Sequence, residues 1–313
     1  MGELSRRPLE LLKGIEMAQL RGKKPEEIVK RFKCLLFGES GIGKTTTAIH
    51  FPRPYVIDAE QGCQEKEYVD LLRESDARLL ATSDFDEVYQ EVLSLLGTRH
   101  DFKTLVIDPL TPLYNDLILK SIRKIARTER LEEDNASITA FGRHKQVPDR
   151  RIKELISLIL RLDMNVIITT HAKAEWRSGE PTGKNIFDCF SKLDYMFDLV
   201  LEVQKRGKDR VCIVKKTRLA GFPDGEAIPF SYAEISKRYG KEWMEKNAES
   251  RELSTPEQVE EINRLLTVLN IPAEDAEKWM DRAGASSWGE AEKEKAEKMI
   301  GFLKGKIEKE AVK

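Results

Sequence analysis

The sequence predicts an α/β protein with a mostly parallel sheet that is flanked by helices. From Phe32 onward, short apolar runs alternate with segments of helical periodicity, as is typical of parallel strands covered on both faces. The last two runs, "FDLVLEVQ" and "RVCIVKKTR", are joined only by "KRGKDR". They predict an antiparallel hairpin at the sheet edge. Beyond about residue 250 the apolar residues follow a helical period, which predicts a small C-terminal helical module.

Composition limits the classes of function. The chain has 313 residues, 40% of them apolar and 34% charged, with a net charge of -1. Because bulk charge favours no class of partner, a nucleic-acid surface would have to be a local patch. No window is long and apolar enough for a membrane span, and the four cysteines are scattered. These features predict a cytoplasmic protein with reduced thiols and no membrane partner.

The chain divides into three predicted parts. Residues 1–30 are polar and predict an N-terminal helical segment, residues 31–240 the α/β core, and residues 250–313 the C-terminal helical module. The first helix of that module begins with a capping box, since Thr255 occupies the N-cap position and Gln258 follows three residues later.

A phosphate-binding loop follows the strand "CLLF". The segment "FGESGIGKTT" has the spacing G-x-x-x-x-G-K-[ST] and precedes a helix. Its glycines let backbone N–H groups turn toward a β-phosphate, and the helix N-terminus adds a positive dipole end. We expect Lys44 to reach the β- and γ-phosphates and Thr45 to bind Mg²⁺. The residues predicted to bind the nucleotide, ATP, are Gly38, Glu39, Ser40, Gly41, Ile42, Gly43, Lys44, Thr45 and Thr46.

Two further strands end in acidic residues. In "TLVIDP", four largely apolar positions lead to Asp108, which is predicted to hold the Mg²⁺ shell together with Thr45. In "YVIDAE", Asp58 ends the strand and Glu60 follows two residues later. A carboxylate at that position can orient the attacking water. The alternative, that Asp58 and Glu60 only cap a turn or neutralise a lysine, stays open.

With these motifs, the sequence resembles the RecA-like P-loop ATPases. The resemblance implies that Glu60 of "IDAE" is the catalytic base and that Asp108 ends the Walker B strand. It also implies that His171, which ends "NVIITTH", senses the γ-phosphate. The basic end of "RVCIVKKTRLAGFP" would place Lys216 and Arg218 in the nucleotide site of a neighbouring subunit. Self-association into a filament or a ring follows from that arrangement.

The short link in "GKTTTAIHFPRPYVIDAE" is similar to that of the short, phage-encoded RecA-like proteins. This resemblance implies ATP hydrolysis coupled to single-stranded DNA, in homologous recombination or strand annealing, within the host cytoplasm. A single-strand-binding protein is a candidate partner. The chain departs from the family pattern in two places. His171 replaces a glutamine, and one extra residue leaves open whether Lys215, Lys216 or Arg218 acts in trans.

The segment "AKAEWRSGEPTGKN" follows the sensor strand and has no helical period. Cations that neutralise phosphates and an aromatic ring that stacks on bases are what a single-strand site needs. The residues predicted to bind DNA are Lys173, Trp176, Arg177 and Lys184 here, and Arg143 and Lys145 in "FGRHKQ". The alternatives are solvated cations and a Trp176 side chain that packs on the core.

Two other functions compete with the DNA-dependent ATPase. One is a P-loop switch or helicase-loading adaptor, in which ATP controls a protein partner. The other is a small-molecule kinase, which lacks an obvious lid or acceptor site and leaves Glu60 and the basic strand end unexplained. Stimulation of ATP turnover by DNA separates the first from the DNA-dependent ATPase.

Overall fold

A computed structural model describes residues 31–135, 142–247 and 252–311. The predicted N-terminal helical segment lies outside these residues. The described strands are β1 (Lys33–Gly38), β2 (Pro54–Asp58), β3 (Arg78–Ala81), β4 (Thr104–Asp108), β5 (Asn165–Arg177), β6 (Glu180–Phe187), β7 (Leu199–Arg206), β8 (Asp209–Thr217) and β9 (Ala227–Pro229).

Helices separate most of these strands. They are α1 (Lys44–Ile49), α2 (Lys66–Glu74), α3 (Phe85–Gly97), α4 (Thr111–Glu129), α5 (Arg143–Arg161), α6 (Tyr232–Tyr239), α7 (Lys241–Met244), α8 (Pro256–Val268), α9 (Ala273–Ala283) and α10 (Lys293–Ala311). Within the described ranges, no helix has the length and hydropathy needed to cross a membrane.

The strands form one nine-stranded sheet in the order β3-β2-β4-β5-β1-β7-β8-β9, with β6 paired to β5. The pairings among β1 to β5, and between β1 and β7, are parallel, whereas β6, β8 and β9 pair antiparallel to their neighbours. The predicted α/β class and the β7–β8 hairpin are therefore confirmed. The short strand β9 lies outside that hairpin and forms the actual edge.

Alternation along the parallel strands builds a core on both faces of the sheet. Leu105 and Ile107 of β4 face a cluster that includes residues of α3, α4 and α5, while Val106 faces the cluster of α1 and α2. All six residues of β1 are buried. Successive side chains of a strand point to opposite faces, so strands covered on both sides are apolar almost throughout.

The three C-terminal helices, α8 to α10, enclose a cluster of their own around Ile262, Leu265 and Leu303. The predicted capping box of Thr255 and Gln258 begins α8, with both of its hydrogen bonds formed. A polar contact joins this cluster to the α/β core. The buried Glu290 accepts a hydrogen bond from the hydroxyl of Tyr89 on α3, and Arg161 of α5 donates to the Glu290 carbonyl at 2.7 Å.

Candidate functional site

The carboxyl ends of the parallel strands meet at one cleft. Because β1, β2, β4 and β5 run in the same direction, the loops that follow them lie at the same edge of the sheet. The residues that line the cleft are Ser40, Gly41, Gly43, Lys44, Thr45, Asp58, Glu60, Gly62, Cys63, Tyr68, Asp108, Pro109 and His171. The fold thus brings together the predicted phosphate loop, the predicted metal-binding pair, the predicted base and the predicted sensor.

The phosphate loop connects β1 to α1 and depends on its glycines. Gly43, the N-cap of α1, has a φ of 89°, a left-handed conformation that side chains rarely adopt. Lys44 folds back over the loop, and its Nζ donates to the carbonyls of Gly38 at 2.9 Å and Glu39 at 2.8 Å. Burial lowers the pKa of Lys44, although Asp108 and Glu60 act in the opposite direction. An anion in the cleft would favour the charged ammonium.

Asp108 lies at the end of β4 and holds two hydroxyl groups. The Thr45 hydroxyl donates to Asp108 Oδ2 at 2.6 Å, and the Thr169 hydroxyl of β5 donates to Oδ1. Burial raises the pKa of Asp108 despite both hydrogen bonds. A carboxylate and a hydroxyl oxygen are hard ligands of the kind that Mg²⁺ prefers, and a cation would offset the cost of the buried charge. The residues present therefore fit Mg²⁺.

Asp58, the other strand-end acid, has a structural role. Its carboxylate accepts backbone N–H groups from Glu60 at 3.2 Å, Gly62 at 3.3 Å and Cys63 at 2.7 Å. Asp58 therefore caps the turn after β2, and for this residue the turn-capping alternative is right. Since the capped turn carries Glu60, Asp58 fixes the backbone from which that carboxylate reaches the cleft.

Glu60 and His171 form a pair across the cleft. The Nε2 atom of His171 lies 3.0 Å from Oε1 of Glu60, and both side chains are partly exposed. The His171 backbone N–H donates to the Thr111 hydroxyl at 3.0 Å, which ties β5 to the start of α4. Both residues were predicted from sequence, but the contact between them was not. A glutamate held by an imidazole at the mouth of a phosphate site is suited to orienting water.

The sensor strand does not end at His171. Strand β5 continues to Arg177, turns at Ser178 and Gly179, and returns as β6. The segment has no helical period, as its sequence indicated, but the β5–β6 hairpin that it forms was not predicted. Both turn residues have positive φ, 51° and 86°, the geometry of a two-residue turn that matches the twist of a hairpin. We call residues 172–187 the sensor hairpin.

The predicted DNA-binding residues of the sensor hairpin have different surroundings. Trp176 is 63% exposed, so packing on the core, the alternative left open above, is excluded. Lys173 forms an ion pair with Asp188 at 2.9 Å, and Arg177 with Glu175 at 2.9 Å. Lys184 is exposed. The hairpin therefore presents an indole ring with cations that are in part already neutralised.

The second predicted DNA-binding group lies on α5, outside the cleft. Arg143 pairs with Glu129 at the end of α4, with 3.0 Å between Nη1 and Oε1. Lys145 is exposed two residues further along the helix. The role of these two residues in DNA binding stays a prediction.

Lys216 and Arg218 lie beyond the cleft, at the opposite ends of the strands, where the parallel strands begin. Strand β8 is antiparallel, and its last residue, Thr217, pairs with Leu199 at the start of β7. Lys216 Nζ donates to two backbone carbonyls, at 2.5 and 2.6 Å, in the turn before β7, and burial lowers its pKa. The Nη1 atom of Arg218 lies 3.5 Å from Oδ1 of Asp198. Neither side chain reaches the cleft of its own chain, and action in a neighbour's site stays a prediction.

Two residues that hold predicted parts of the site in place were themselves not predicted. Thr169 holds Asp108, and its only sequence signal is a polar residue inside the apolar run "NVIITTH". Arg210, at the start of β8, donates from Nε to the carbonyl of Ile42 in the phosphate loop at 3.0 Å. Its signal was the basic segment "KRGKDR", which sequence reasoning used only as a hairpin connection.

Comparison with known proteins gives the family. No curated protein matches the chain. Among solved structures, the chain is similar to one described as "Crystal structure of the RadB recombinase", with 20% sequence identity, a TM-score of 0.44, and coverage of 66% of this chain and 89% of that chain. The family model described as "AAA domain" matches residues 30–222. With more than half of its length matched, the chain belongs to the AAA domain family.

Proposed function

We propose that this protein is a RecA-like ATPase that acts on single-stranded DNA in homologous recombination or strand annealing of the phage type. One observation carries the proposal. One cleft is lined by the phosphate loop, by the candidate metal ligands Thr45 and Asp108, and by the paired side chains of Glu60 and His171. The strand that carries His171 continues into a hairpin with an exposed indole. A nucleotide site and a candidate DNA surface therefore share one strand.

Nucleotide binding is assigned to the phosphate loop. The backbone N–H groups of residues 41–45 and the start of α1 would hold the phosphates. Lys44 would exchange the carbonyls of Gly38 and Glu39 for phosphate oxygens. Thr45 and Asp108, whose oxygens are 2.6 Å apart, would hold Mg²⁺. That ion would supply charge neutralisation on the phosphates.

Hydrolysis is assigned to Glu60, with His171 as its partner. The backbone of Glu60 is held by the turn that Asp58 caps, and its carboxylate is held by the contact with His171. Glu60 would orient the attacking water and accept its proton. His171 lies in register with Gly38 on β1, next to the first residue of the phosphate loop, so it can contact either Glu60 or a γ-phosphate.

The first experiment tests these two assignments. Lys44→Ala should remove most nucleotide affinity, because a buried phosphate charge loses its cation. Glu60→Gln should bind nucleotide normally and lose hydrolysis, because only the water-orienting group changes. Glu67→Gln, an exposed glutamate on α2, is the matched control and should behave like the unaltered chain. Normal hydrolysis by Glu60→Gln would contradict the assignment of the base.

DNA binding is assigned to the sensor hairpin, where Trp176 would stack on a base and Lys184 would contact a phosphate. ATP turnover should rise when single-stranded DNA is added, and binding of oligo-dT should tighten with ATP and weaken with salt. Turnover and fluorescent oligo-dT binding are measured in parallel at several salt concentrations. If DNA does not change ATP turnover and ATP does not raise the affinity for oligo-dT, the proposed DNA-dependent function is refuted.

In that event the alternative is a P-loop switch or helicase-loader-like adaptor that acts on a protein partner. One observation favours it. The ion pairs Lys173–Asp188 and Arg177–Glu175 reduce the charge that the sensor hairpin offers to a polyanion. An exposed indole beside paired charges is also suited to a protein interface.

Assembly is the remaining part of the proposal. Arg218 is about half exposed at the edge opposite the cleft, where it can reach a second copy's nucleotide. Lys216 is held by backbone carbonyls and would position that surface. The double variant Lys216→Ala/Arg218→Ala should bind ATP and hydrolyse it poorly. Mixing it with Glu60→Gln should restore part of the activity, and no recovery in intact assemblies would count against action in trans.

A further inference from the structure

We propose that Arg210 is a positioning residue of the nucleotide site, because it sets the direction of one backbone N–H group in the phosphate loop. The inference rests on the proposed nucleotide binding and adds a residue outside the phosphate-loop motif. Arg210 lies at the start of β8, just after the turn of the β7–β8 hairpin. Its Nε donates to the carbonyl oxygen of Ile42 at 3.0 Å.

The geometry of the peptide unit carries the argument. The only cis peptide bond in the described residues is Asp108–Pro109, so the unit between Ile42 and Gly43 is trans. In a planar trans unit, the C=O and the following N–H point in opposite directions. The contact with Arg210 therefore turns the Ile42 carbonyl toward the hairpin and the Gly43 N–H away from it. Gly43 lines the cleft, where an N–H group would meet a phosphate.

Gly43 also provides the space that Arg210 occupies. A Cβ atom at position 43 would lie 2.9 Å from Arg210 Nε, closer than real Cβ atoms approach their neighbours, and 3.1 Å from Arg210 Cδ, which is tighter than most real contacts. The side chain of Arg210 thus packs against Gly43 and also donates a hydrogen bond to the carbonyl of Ile42. A glycine is needed here both for its φ of 89° and for this close approach.

The hairpin holds Arg210 in place independently of the loop. The Arg210 backbone pairs with Lys205 on β7, and its carbonyl accepts the N–H of Phe230 at 2.9 Å. Strand β7 also supports the start of the loop, since a Cβ on Gly38 would lie 2.6 Å from the Val203 carbonyl. The phosphate loop therefore packs against β7 and is hydrogen-bonded to Arg210 of β8. Residues outside the phosphate-loop motif thus determine the shape of the loop before a nucleotide binds.

The test compares Arg210→Ala with Lys208→Ala, which removes an exposed cation from the same hairpin turn. Arg210→Ala should weaken ADP and ATP binding about tenfold, which corresponds to roughly 1.4 kcal/mol, because the Gly43 N–H is no longer oriented before the phosphate binds. Lys208→Ala should change affinity less than about twofold. The measurement is a titration with fluorescent ADP and ATP analogues on the full chain.

Two further readouts separate orientation from charge and from general damage. In turnover assays, Arg210→Ala should raise KM and leave kcat almost unchanged, because ground state and transition state lose the same contact. Arg210→Lys keeps the charge and one donor without the planar guanidinium, so it should recover part of the affinity. This variant also serves as the test if Arg210→Ala does not fold.

Three results would overturn the proposal. Equal nucleotide affinities of Arg210→Ala and Lys208→Ala would show that the hydrogen bond from Arg210 to Ile42 does not contribute to nucleotide binding. Full recovery with Arg210→Lys together with a loss in Lys208→Ala would show that only charge matters. If the unaltered chain binds no nucleotide, the proposed function and this inference fail together, whereas nucleotide binding that ignores Arg210 overturns the inference alone.

Discussion

Two hairpins leave the same edge of the sheet on either side of β1, and they differ in how their charges are arranged. The sensor hairpin extends β5 and has an exposed Trp176, but Lys173 and Arg177 are paired with carboxylates. The β7–β8 hairpin has a basic turn, "KRGKDR", without an aromatic residue, and one of its cations clasps the phosphate loop. The comparison teaches that the number of basic residues does not identify a polyanion site, since their partners decide what they can bind.

This contrast suggests a division of labour in which the sensor hairpin serves DNA and the β7–β8 hairpin serves the nucleotide loop. The largest expected effect concerns the coupling between the two ligands. A coupling of about 1–3 kcal/mol would make ATP tighten oligo-dT binding about 5- to 150-fold. In His171→Ala this ratio should fall to about one, because the strand loses its contact with Glu60 and its proposed contact with the nucleotide. Binding of oligo-dT with and without an ATP analogue measures the ratio.

Lys208→Ala is the control for that experiment and should keep the ratio of the unaltered chain. If Lys208→Ala removes the coupling and His171→Ala leaves it intact, the two hairpins have been assigned the wrong way round.

The next effect concerns the indole. Trp176→Ala should weaken oligo-dT binding by about 1–3 kcal/mol if the ring stacks on a base, while nucleotide affinity stays unchanged. Trp243→Ala, an exposed tryptophan on α7, should leave both affinities as they are. Oligo-dT and nucleotide titrations of both variants give the four numbers needed. Equal DNA affinity in the two variants would remove the aromatic part of the assignment.

The smallest effect concerns the paired cations. Asp188→Asn frees Lys173 from its ion pair, so DNA affinity at low salt should rise a few-fold and the salt slope should steepen by about 0.7, the value for one added contact to a single strand. Glu180→Gln changes the same charge near the turn and does not release Lys173. If both variants respond equally, net charge alone determines binding and pairing has no special role.

Much of the fold follows from local patterns. The apolar runs of β1, β2 and β4 were recognisable because strands buried on both faces have few polar positions. Strand β6 was missed because "EPTGKNIF" contains a proline and a glycine and lacks an apolar alternation. The cross-strand pairing with β5 stabilises it in spite of that composition. Strand β9 has three residues, too few for any periodicity.

In the candidate site too, the parts that are contiguous in sequence were predicted and the contacts between distant residues were not. The phosphate loop is contiguous in sequence, so its spacing alone predicted it. The contacts of Glu60 with His171 and of Arg210 with Ile42 join residues that are far apart along the chain, and they depend on strand order rather than on any motif. Asp58 shows a third case, in which an acid at the expected strand end caps a turn, a choice that only the surrounding N–H groups decide.

Strand β5 has a mechanical consequence. It spans 13 residues, so the distance from Thr169, which bonds to the carboxylate of Asp108, to Trp176 is about 23 Å at a rise of roughly 3.3 Å per residue. The pairing with β6 shifts register between Ala174 and Trp176, and such irregularities are where strands bend. A partner that pulls on the indole would therefore act on the hydroxyl of Thr169 through the backbone of β5, and the register shift next to Trp176 is where the strand can bend and absorb part of that displacement.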